Sequence, residues 1–151
     1  MPGMTITVRV LGSDEAHVLD NVAANVFDND VDPRWCAEFF AYARHHLVVA
    51  LDGDIVVGMA SGVHYVHPDK PPELWINEVG VAPTHEGRGI GRRLVAALVA
   101  HGEGLGCVEA WVLTSQTNEA AQRMYRAAGG VPDDELSVMF VYRRGTVSAP
   151  R

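Results

Sequence analysis

Hydrophobic residues recur along the chain at spacings that predict elements in the order βααβββαβαβ. Residues 5–11 alternate polar and apolar side chains, which is typical of a half-buried edge strand. Over residues 90–101 the apolar positions instead recur at helical spacing and form one stripe. The remaining predicted strands are 47–51, 55–66, 74–82, 107–113 and 136–142, and the remaining predicted helices are 13–27, 35–46 and 118–128.

A strand, a glycine-rich loop and a helix follow one another over residues 75–94. The strand ends before Pro83, and Gly87, Gly89 and Gly91 lead into the helix. Backbone N–H groups at a helix start have no partner within the helix, and the helix dipole adds positive potential there. The sequence therefore predicts that this loop binds a phosphate group.

Several kinds of glycine loop can be compared with this one. A P-loop requires a lysine after its last glycine, and no lysine lies here. A dinucleotide-binding fingerprint requires a third glycine where this chain has Arg92. A loop that only turns the strand into the helix is a structural alternative. Gly89 and Gly91 resemble the glycine pair in the Gln/Arg-x-x-Gly-x-Gly/Ala motif with which GCN5-related N-acetyltransferases, the GNAT family, bind the pyrophosphate of acetyl-CoA.

The order of elements resembles the GNAT family over nearly the whole chain. The resemblance implies an α/β (α+β) fold, in which a mixed, curved and splayed β-sheet is flanked by about four helices. It also implies acetyl-CoA as cosubstrate, with the thioester arm entering the splay. Glu86 departs from the motif, because the family has Gln or Arg there. Its carboxylate disfavours a pyrophosphate, an effect that Arg88, Arg92 and Arg93 would offset.

Length and charge limit the possible partners. The 151 residues, 48% of them hydrophobic, suit one domain spanning 1–151, with a core of about 5–144 and a tail at 145–151. The net charge of -7 and the pI near 5.4 argue against nucleic acid or an anionic membrane as a partner. They favour a cationic ligand.

The cysteines, histidines and N-terminus indicate an ordinary cytoplasmic protein without a metal. Cys36 and Cys107 are far apart, which favours free thiols in a reducing compartment. No basic segment precedes an apolar run at the N-terminus, and no stretch has transmembrane length. His45 and His46 are neighbours on a predicted helix and cannot share a metal, and no histidine is accompanied by the ligand set of a zinc site.

Glu78 is the most informative single residue, because it interrupts a strand that is otherwise apolar. A buried carboxylate needs compensation, and an ion pair with an arginine is the structural alternative. The functional interpretation is a general base that removes a proton from a substrate ammonium, directly or through water. Burial would then raise its pKa toward the working pH. Many GNAT members have an acidic residue at this point.

The resemblance implies further roles around the cosubstrate. The N–H of Val79 would polarise the thioester carbonyl, and Val81 would hold the pantetheine amides. Gly80 either leaves room for the cosubstrate or marks a bulge. Residues 118–129 resemble the family's Asn-x-x-Ala-x-x-Leu-Tyr-x-x-x-Gly motif, so Asn118 would bind pantetheine and Tyr125 would protonate the CoA thiolate. The alternatives are a helix cap for Asn118 and a core aromatic for Tyr125. The predicted cosubstrate-binding residues are Val79, Gly80, Val81, Glu86, Gly87, Arg88, Gly89, Ile90, Gly91, Arg92 and Asn118.

Within the family, the chain most resembles the type I aminoglycoside 3-N-acetyltransferases. The similar segments are 26–30, 56–60, 65–71 and 76–81, where that subfamily tends to have Asp at the position of Glu78. Carboxylates that could bind a polycationic amine are Asp28, Asp30, Asp32, Asp134 and Glu135.

Other functions remain open from the sequence. Asp32 could equally cap the helix after Pro33 rather than bind a substrate. Alternative activities are acetylation of a polyamine or a peptide N-terminus, and a non-catalytic CoA-binding domain. A homodimer is expected because many relatives are homodimers.

Overall fold

The computed structural model describes residues 5–145, which fold around a five-stranded sheet in the order β1-β2-β3-β4-β5. The first four strands pair antiparallel, and β5 runs parallel to β4. The strands are β1 (Ile6–Val10), β2 (His45–Asp52), β3 (Ile55–His67), β4 (Lys70–Val81) and β5 (Glu109–Val112). The helices are α1 (Pro33–Ala41), α2 (Ile90–Gly104) and α3 (Glu119–Ala127), with short 3-10 turns at Ala16–Asp20 and Pro83–His85.

The main core lies between the sheet and α2. Leu94 and Leu98 on the apolar stripe of α2 are fully buried, as is Leu74 on β4. A Cβ atom at Gly102 would lie 2.9 Å from the Leu74 side chain, so the glycine lets the helix approach the strand closely. The mixed sheet and the buried α2 confirm the predicted fold class, and residues 5–145 contain three α-helices where about four were expected.

A chain of hydrogen bonds between three histidines links α2 to the sheet. His46 is 7% exposed, and its Nε2 lies 2.6 Å from Nδ1 of His64. Its Nδ1 lies 3.1 Å from Nε2 of His101 on α2. Burial, with the neighbouring His101 and His64, lowers the pKa of His46 to about 4. His46 is therefore neutral at physiological pH, and a neutral imidazole can donate a hydrogen bond through one ring nitrogen and accept one through the other.

Helix α1 lies on the opposite face of the sheet. Phe39 of α1 stacks on His45, which precedes His46 on β2 and points away from α2. The prediction that His45 and His46 belong to a helix is wrong, since α1 ends at Ala41 and β2 begins at His45. Neighbouring residues in a strand point to opposite faces, so the two imidazoles serve different parts of the molecule.

The predicted helix over residues 13–27 is also wrong, since only a 3-10 turn forms there. Val22 instead forms a β-bridge with Val56 of β3. The N–H of Ala23 donates to the carbonyl of Val56, and the N–H of Val56 donates to the carbonyl of Asn21. These hydrogen bonds to β3 replace the ones a helix would make, so tertiary pairing overrides the helical spacing of the apolar residues.

Residues 136–142 do not form the predicted final strand. They follow α3 as an irregular segment, and none of them joins the β-ladders of residues 5–145. Their side chains stay exposed, including Leu136 at 82%, Phe140 at 78% and Tyr142 at 93%. The alternation of apolar residues predicts what a strand would bury, but strand formation also requires pairing with a neighbouring edge.

Candidate active site

A bulge in β4 shapes the centre of the site. Ser61 of β3 pairs with Glu78, whereas the next residue, Gly62, pairs with Ile76. Asn77 is therefore the extra residue, and both Asn77 and Glu78 line one cleft with Ser61. In a regular strand these two neighbours would point to opposite faces, so the bulge directs two polar side chains to the same place.

The cleft has a volume of about 370 Å³ and lies between α1, residues 27–32 and the sheet. Its apolar wall includes Phe27, Trp35, Phe39 and Phe40. Concave sites that combine an apolar wall with a few polar groups are typical of small-molecule binding.

Gly80 allows the segment that carries Asp28 to approach β4 closely. A Cβ atom at Gly80 would lie 2.1 Å from the carbonyl oxygen of Val26, so only glycine admits the main chain there. The following residues, Phe27 and Asp28, then enter the cleft beside Glu78. The space beside Gly80 is occupied by the protein's own backbone, so the glycine does not leave room for the cosubstrate on this side.

Glu78 differs from the buried residue expected from the sequence, because its side chain is accessible from the cleft. Protein atoms still remove part of its hydration, and this desolvation raises the pKa of Glu78. The negative charge of Asp28 raises this pKa further. Within residues 5–145 no arginine pairs with Glu78, which argues against the structural ion pair.

The predicted substrate-binding carboxylates lie in different environments. Asp28 and Asp30 line the cleft, and neither forms an ion pair within the described part of the chain. Asp32 also reaches the cleft, but it caps α1 by accepting a hydrogen bond of 2.9 Å from the Arg34 N–H. The Arg34 guanidinium also binds this carboxylate and lowers the pKa of Asp32.

Asp134 and Glu135 were expected in the same group but do not line the cleft. They lie exposed in the irregular segment after α3. Because that segment does not join the sheet, it does not carry these carboxylates to the acceptor side.

The predicted anion loop has the expected local geometry. Gly87 and Gly89 have φ of 76° and 74°, in the left-handed region that favours glycine. Gly89 is the N-cap of α2, and no side chain caps this helix start. The first N–H groups of α2, beginning at Ile90, therefore remain available to an anion such as a pyrophosphate.

The charged side chains around this loop are not all free for that anion. Glu86, Arg88 and Arg92 are exposed on the loop and the first turn of α2. Arg93 instead donates to the carbonyl oxygen of Ile6, at 3.0 Å. Arg88 and Arg92 thus remain as the cations that could offset Glu86, while Arg93 ties α2 to β1.

The sheet opens beside this loop. The pairing of β4 with β5 ends at Ile76 and Val112. Beyond Ile76, residues 77–81 have no partner strand on the β5 side among residues 5–145. This is the splay that the family resemblance implies, and it leaves main-chain groups of Val79 and Val81 free to pair with an extended ligand.

Helix α3 brings the last predicted residues to the same end of the molecule. The Asn118 side chain caps α3 by accepting from the N–H of Ala121 at 3.0 Å. Met124 packs against Gly91 in the first turn of α2. Tyr125 follows Met124 and is partly buried, and this burial raises the pKa of its hydroxyl.

Sequence reasoning missed Ser61 and Asn77, which complete the polar group around Glu78. The only signal for Asn77 is its polarity within an apolar strand, next to Glu78. Without the register of β3 and β4 this signal does not show that both residues face one cleft. Within residues 5–145, no group of three His, Cys, Asp or Glu side chains is arranged to hold a metal ion. No helix in the same range is long and apolar enough to cross a membrane.

Comparison with known proteins agrees with this arrangement. Residues 17–129 match the model of the acetyltransferase (GNAT) family. The chain is 35% identical over 127 residues to the N-alpha-acetyltransferase RimI of Mycobacterium tuberculosis, a match that covers 82% of this chain and 77% of that protein. It is 36% identical over 95 residues to the L-2,4-diaminobutyric acid acetyltransferase of Streptomyces coelicolor, covering 60% of this chain and 51% of that protein.

Solved structures share the fold at low sequence identity. An aminoglycoside acetyltransferase from an uncultured soil metagenomic sample, in complex with trehalose, superposes with a TM-score of 0.76 at 16% identity. That match covers 92% of this chain and 97% of the other. AAC(6')-Iy in complex with a bisubstrate analogue gives a TM-score of 0.74 at 20% identity, covering 92% and 99% of the two chains.

None of the names of these relatives and structures specifies a type I 3-N-acetyltransferase, so the finer resemblance stays a prediction. The broader resemblance is confirmed, because the family match covers the cleft, the anion loop and α3. The chain therefore belongs to the GNAT family of acetyltransferases.

Proposed function

We propose that this acetyltransferase moves the acetyl group of acetyl-CoA to a primary amine of a polycationic small molecule of the aminoglycoside class. The observation that carries the proposal is Glu78, a carboxylate of raised pKa beside Asp28, in a cleft that adjoins the splay of the sheet. Such a group is suited to take a proton from a substrate ammonium.

The proposed transfer is direct. Glu78 accepts a proton from the ammonium, and the lone pair of the amine nitrogen attacks the thioester carbonyl carbon. The N–H of Val79 donates to the carbonyl oxygen as negative charge develops on it. The new C–N bond forms, the C–S bond breaks, and Tyr125 donates a proton to the departing CoA sulfur. The nitrogen then loses its second proton, which returns through solvent to the Tyr125 oxygen and leaves a neutral amide. Its raised pKa keeps Tyr125 protonated before transfer.

Residues of the anion loop would hold acetyl-CoA. The uncapped start of α2 and the left-handed glycines suit its pyrophosphate, and Arg88 and Arg92 supply positive charge. The free edge of residues 77–81 would pair with the pantetheine amides. The Asn118 Nδ2 group makes no hydrogen bond within residues 5–145, so it can donate to the same arm while Oδ1 caps the helix.

The charges of the cleft favour a cationic acceptor. Asp28 and Asp30 lie at the cleft without an ion-pair partner among the described residues, and the whole chain has a net charge of -7. Binding a polyamine sugar would neutralise these carboxylates. The diaminobutyrate enzyme of Streptomyces, named above, is a relative whose name likewise indicates an acceptor with two amino groups.

A thiol-release assay with acetyl-CoA tests the proposal against aminoglycosides, spermidine and peptides. Glu78→Gln should lower kcat at least about a hundredfold, because it removes a general base while preserving shape. Binding of CoA should not change. Glu103→Gln is the matched control, since Glu103 is an exposed carboxylate near the end of α2. Turnover by Glu78→Gln at the wild-type rate would refute the role of Glu78.

A second candidate acceptor is the α-amine of a peptide or protein. The match to RimI, at 35% identity over most of both chains, favours this alternative. In the assay, transfer to peptides without transfer to aminoglycosides would replace the first candidate with the second. If an aminoglycoside is acetylated, NMR of the product identifies the amine; the sequence resemblance predicts the 3-N position.

We also propose that the protein forms a homodimer. The exposed apolar side chains of Leu136, Val138, Phe140 and Tyr142 provide a surface that a second copy could cover. Light scattering after gel filtration should give twice the monomer mass, and Phe140→Ser with Tyr142→Ser should reduce it. A monomeric wild type at micromolar concentration would contradict this proposal.

A further inference from the structure

The face of the sheet that carries Glu78 continues away from the cleft as a regular array of side chains. The row beside the cleft contains Ser61 and Glu78, which pair across β3 and β4. The next row contains Val63, Trp75 and Trp111, and the row after it contains Tyr65, Glu73 and Glu109. These rows lie on the α1 side, because alternate residues of a strand share a face.

Tyr65, Glu73, Trp75, Glu109 and Trp111 form what we call the tryptophan shelf. The two indole rings stack with centroids 6.0 Å apart and an interplanar angle of 27°. The Trp111 Nε1–H donates to the Tyr65 hydroxyl at 2.7 Å, and that hydroxyl donates to Glu73 at 3.1 Å. These hydrogen bonds fix the rings of Trp111 and Tyr65, and all three aromatic rings remain partly exposed.

The two glutamates of the shelf are neighbours of like charge without a counter-charge among residues 5–145. Glu73 and Glu109 lie directly opposite each other on β4 and β5, and like charges in that position repel. Neither has a cationic partner within residues 5–145. Burial raises the pKa of Tyr65, and its hydrogen bond to Glu73 and the charges of Glu73 and Glu109 act in the same direction.

Aromatic faces beside unpaired carboxylates are suited to an ammonium or guanidinium group. The aromatic ring attracts the cation through its quadrupole, and the carboxylates neutralise its charge. A neutral or anionic group would leave the repulsion between the glutamates in place. The shelf therefore differs from an ordinary apolar patch in the charge of the ligand it can stabilise.

We infer that the tryptophan shelf is a second-cation subsite, which binds an ammonium group of the acceptor remote from the amine that is acetylated. The inference rests on the proposed function, because it places the reacting amine at Glu78. At about 3.3 Å per residue, Trp75 lies about 10 Å and Glu73 about 16 Å along β4 from Glu78, or somewhat less because of the bulge. Long, multiply charged amines can reach both positions, whereas compact diamines cannot.

Acetyl transfer to 1,8-diaminooctane and to octylamine tests the subsite. The two amines have the same chain length and differ in the remote charge. The double variant Glu73→Gln and Glu109→Gln should raise KM for the diamine about tenfold, because it removes the carboxylates that pair with the remote ammonium while leaving the aromatic rings in place. KM for octylamine and for acetyl-CoA, and kcat for both amines, should change less than about twofold. Asp54→Asn, in the exposed turn between β2 and β3 at the opposite end of β3 from Tyr65, is the control and should alter neither KM.

A second variant removes an aromatic face. Trp75→Leu should also raise KM for the diamine more than for octylamine, with circular dichroism used to verify folding. Transfer that proceeds with equal KM changes for both amines, or with none, would overturn the subsite and leave the proposed function intact.

If neither of these two amines nor any aminoglycoside, spermidine or peptide is acetylated, the proposed function is overturned instead. The subsite is then tested by calorimetric binding of 1,8-diaminooctane to the CoA-loaded protein. Weaker binding by the double glutamine variant supports the subsite, and unchanged binding overturns it.

Discussion

Gly80→Ala is expected to damage transfer more than it damages the fold. The new Cβ atom would lie 2.1 Å from the carbonyl oxygen of Val26, more than 1 Å short of the 3.4 Å at which ordinary contacts begin. Neither partner is the flexible end of a side chain, so β4 or the backbone at Val26 must move by about 1 Å, at a cost of about 1–3 kcal/mol.

The displacement falls on the segment that carries Asp28 to Glu78. A misplacement of about 1 Å near a reacting centre can cost about a hundredfold in rate, so kcat/KM for the acceptor amine should fall by about that factor. Because residues 77–81 also pair with the pantetheine in the proposed complex, KM for acetyl-CoA should rise if β4 moves and should change little if the backbone at Val26 moves; the anion loop begins beyond Pro83 and is not displaced in either case. The melting temperature should fall by several degrees, at about 2–4 °C per kcal/mol for a chain of this size.

Gly104→Ala is the matched control for this experiment. Gly104 ends α2, and a Cβ atom there would meet nothing within 4 Å. Alanine at that position should leave both kinetics and melting unchanged or slightly improved. Wild-type kinetics in Gly80→Ala would refute the claim that the close approach of Val26 positions the acceptor site.

Three further predictions concern the anion loop, the α3 cap and the histidine chain. Gly89→Ala places a side chain at φ of 74° and should lower the free energy of unfolding by about 1 kcal/mol. It should raise KM for acetyl-CoA and leave KM for the amine unchanged. Equal changes in both KM values would contradict the role of this loop in anion binding. Asn118→Asp keeps the cap acceptor but removes the Nδ2 donor, so it should preserve melting yet raise KM for acetyl-CoA, whereas Asn118→Ala should also lose about 1 kcal/mol of stability. The pKa of about 4 for folded His46 lies below its unfolded value, so the unfolded chain binds more protons between about pH 4 and 6.5. The contribution of neutral His46 to the free energy of unfolding should be fully present above that window and should fall by up to about 3 kcal/mol as the pH drops through it. Urea titrations of His46→Leu should show a smaller fall over the same pH range.

Local features of the sequence predicted the loop and helix at the centre of the molecule. Gly87 and Gly89 lie in the left-handed conformation that their residue type suggests, and α2 begins at Ile90 as the end of the glycine series indicates. The apolar stripe of this helix is buried as predicted. These features could be predicted because glycine conformation and helical periodicity depend on residues close together in sequence.

Other predictions failed where a partner distant in sequence decided the outcome. The apolar spacing over residues 13–27 favours a helix, but hydrogen bonds to Val56 hold part of it in a bridge to the sheet. The alternation over residues 136–142 favours a strand, but no edge pairs with it among residues 5–145. In both cases the local sequence favours one secondary structure, and pairing with a distant strand determines whether that structure forms.

The sequence by itself determined the residue types available for chemistry: one glutamate in an apolar strand, a glycine loop before a helix, and a surplus of carboxylates. Only the tertiary structure decided which carboxylates act together. Asp28 meets Glu78 because Gly80 admits the backbone at Val26, and Asp32 is committed to capping α1. Asn77 joins them because a bulge rotates it into the cleft. Distances between residues far apart in the chain depend on strand register and close packing, and neither is encoded in any short stretch of sequence.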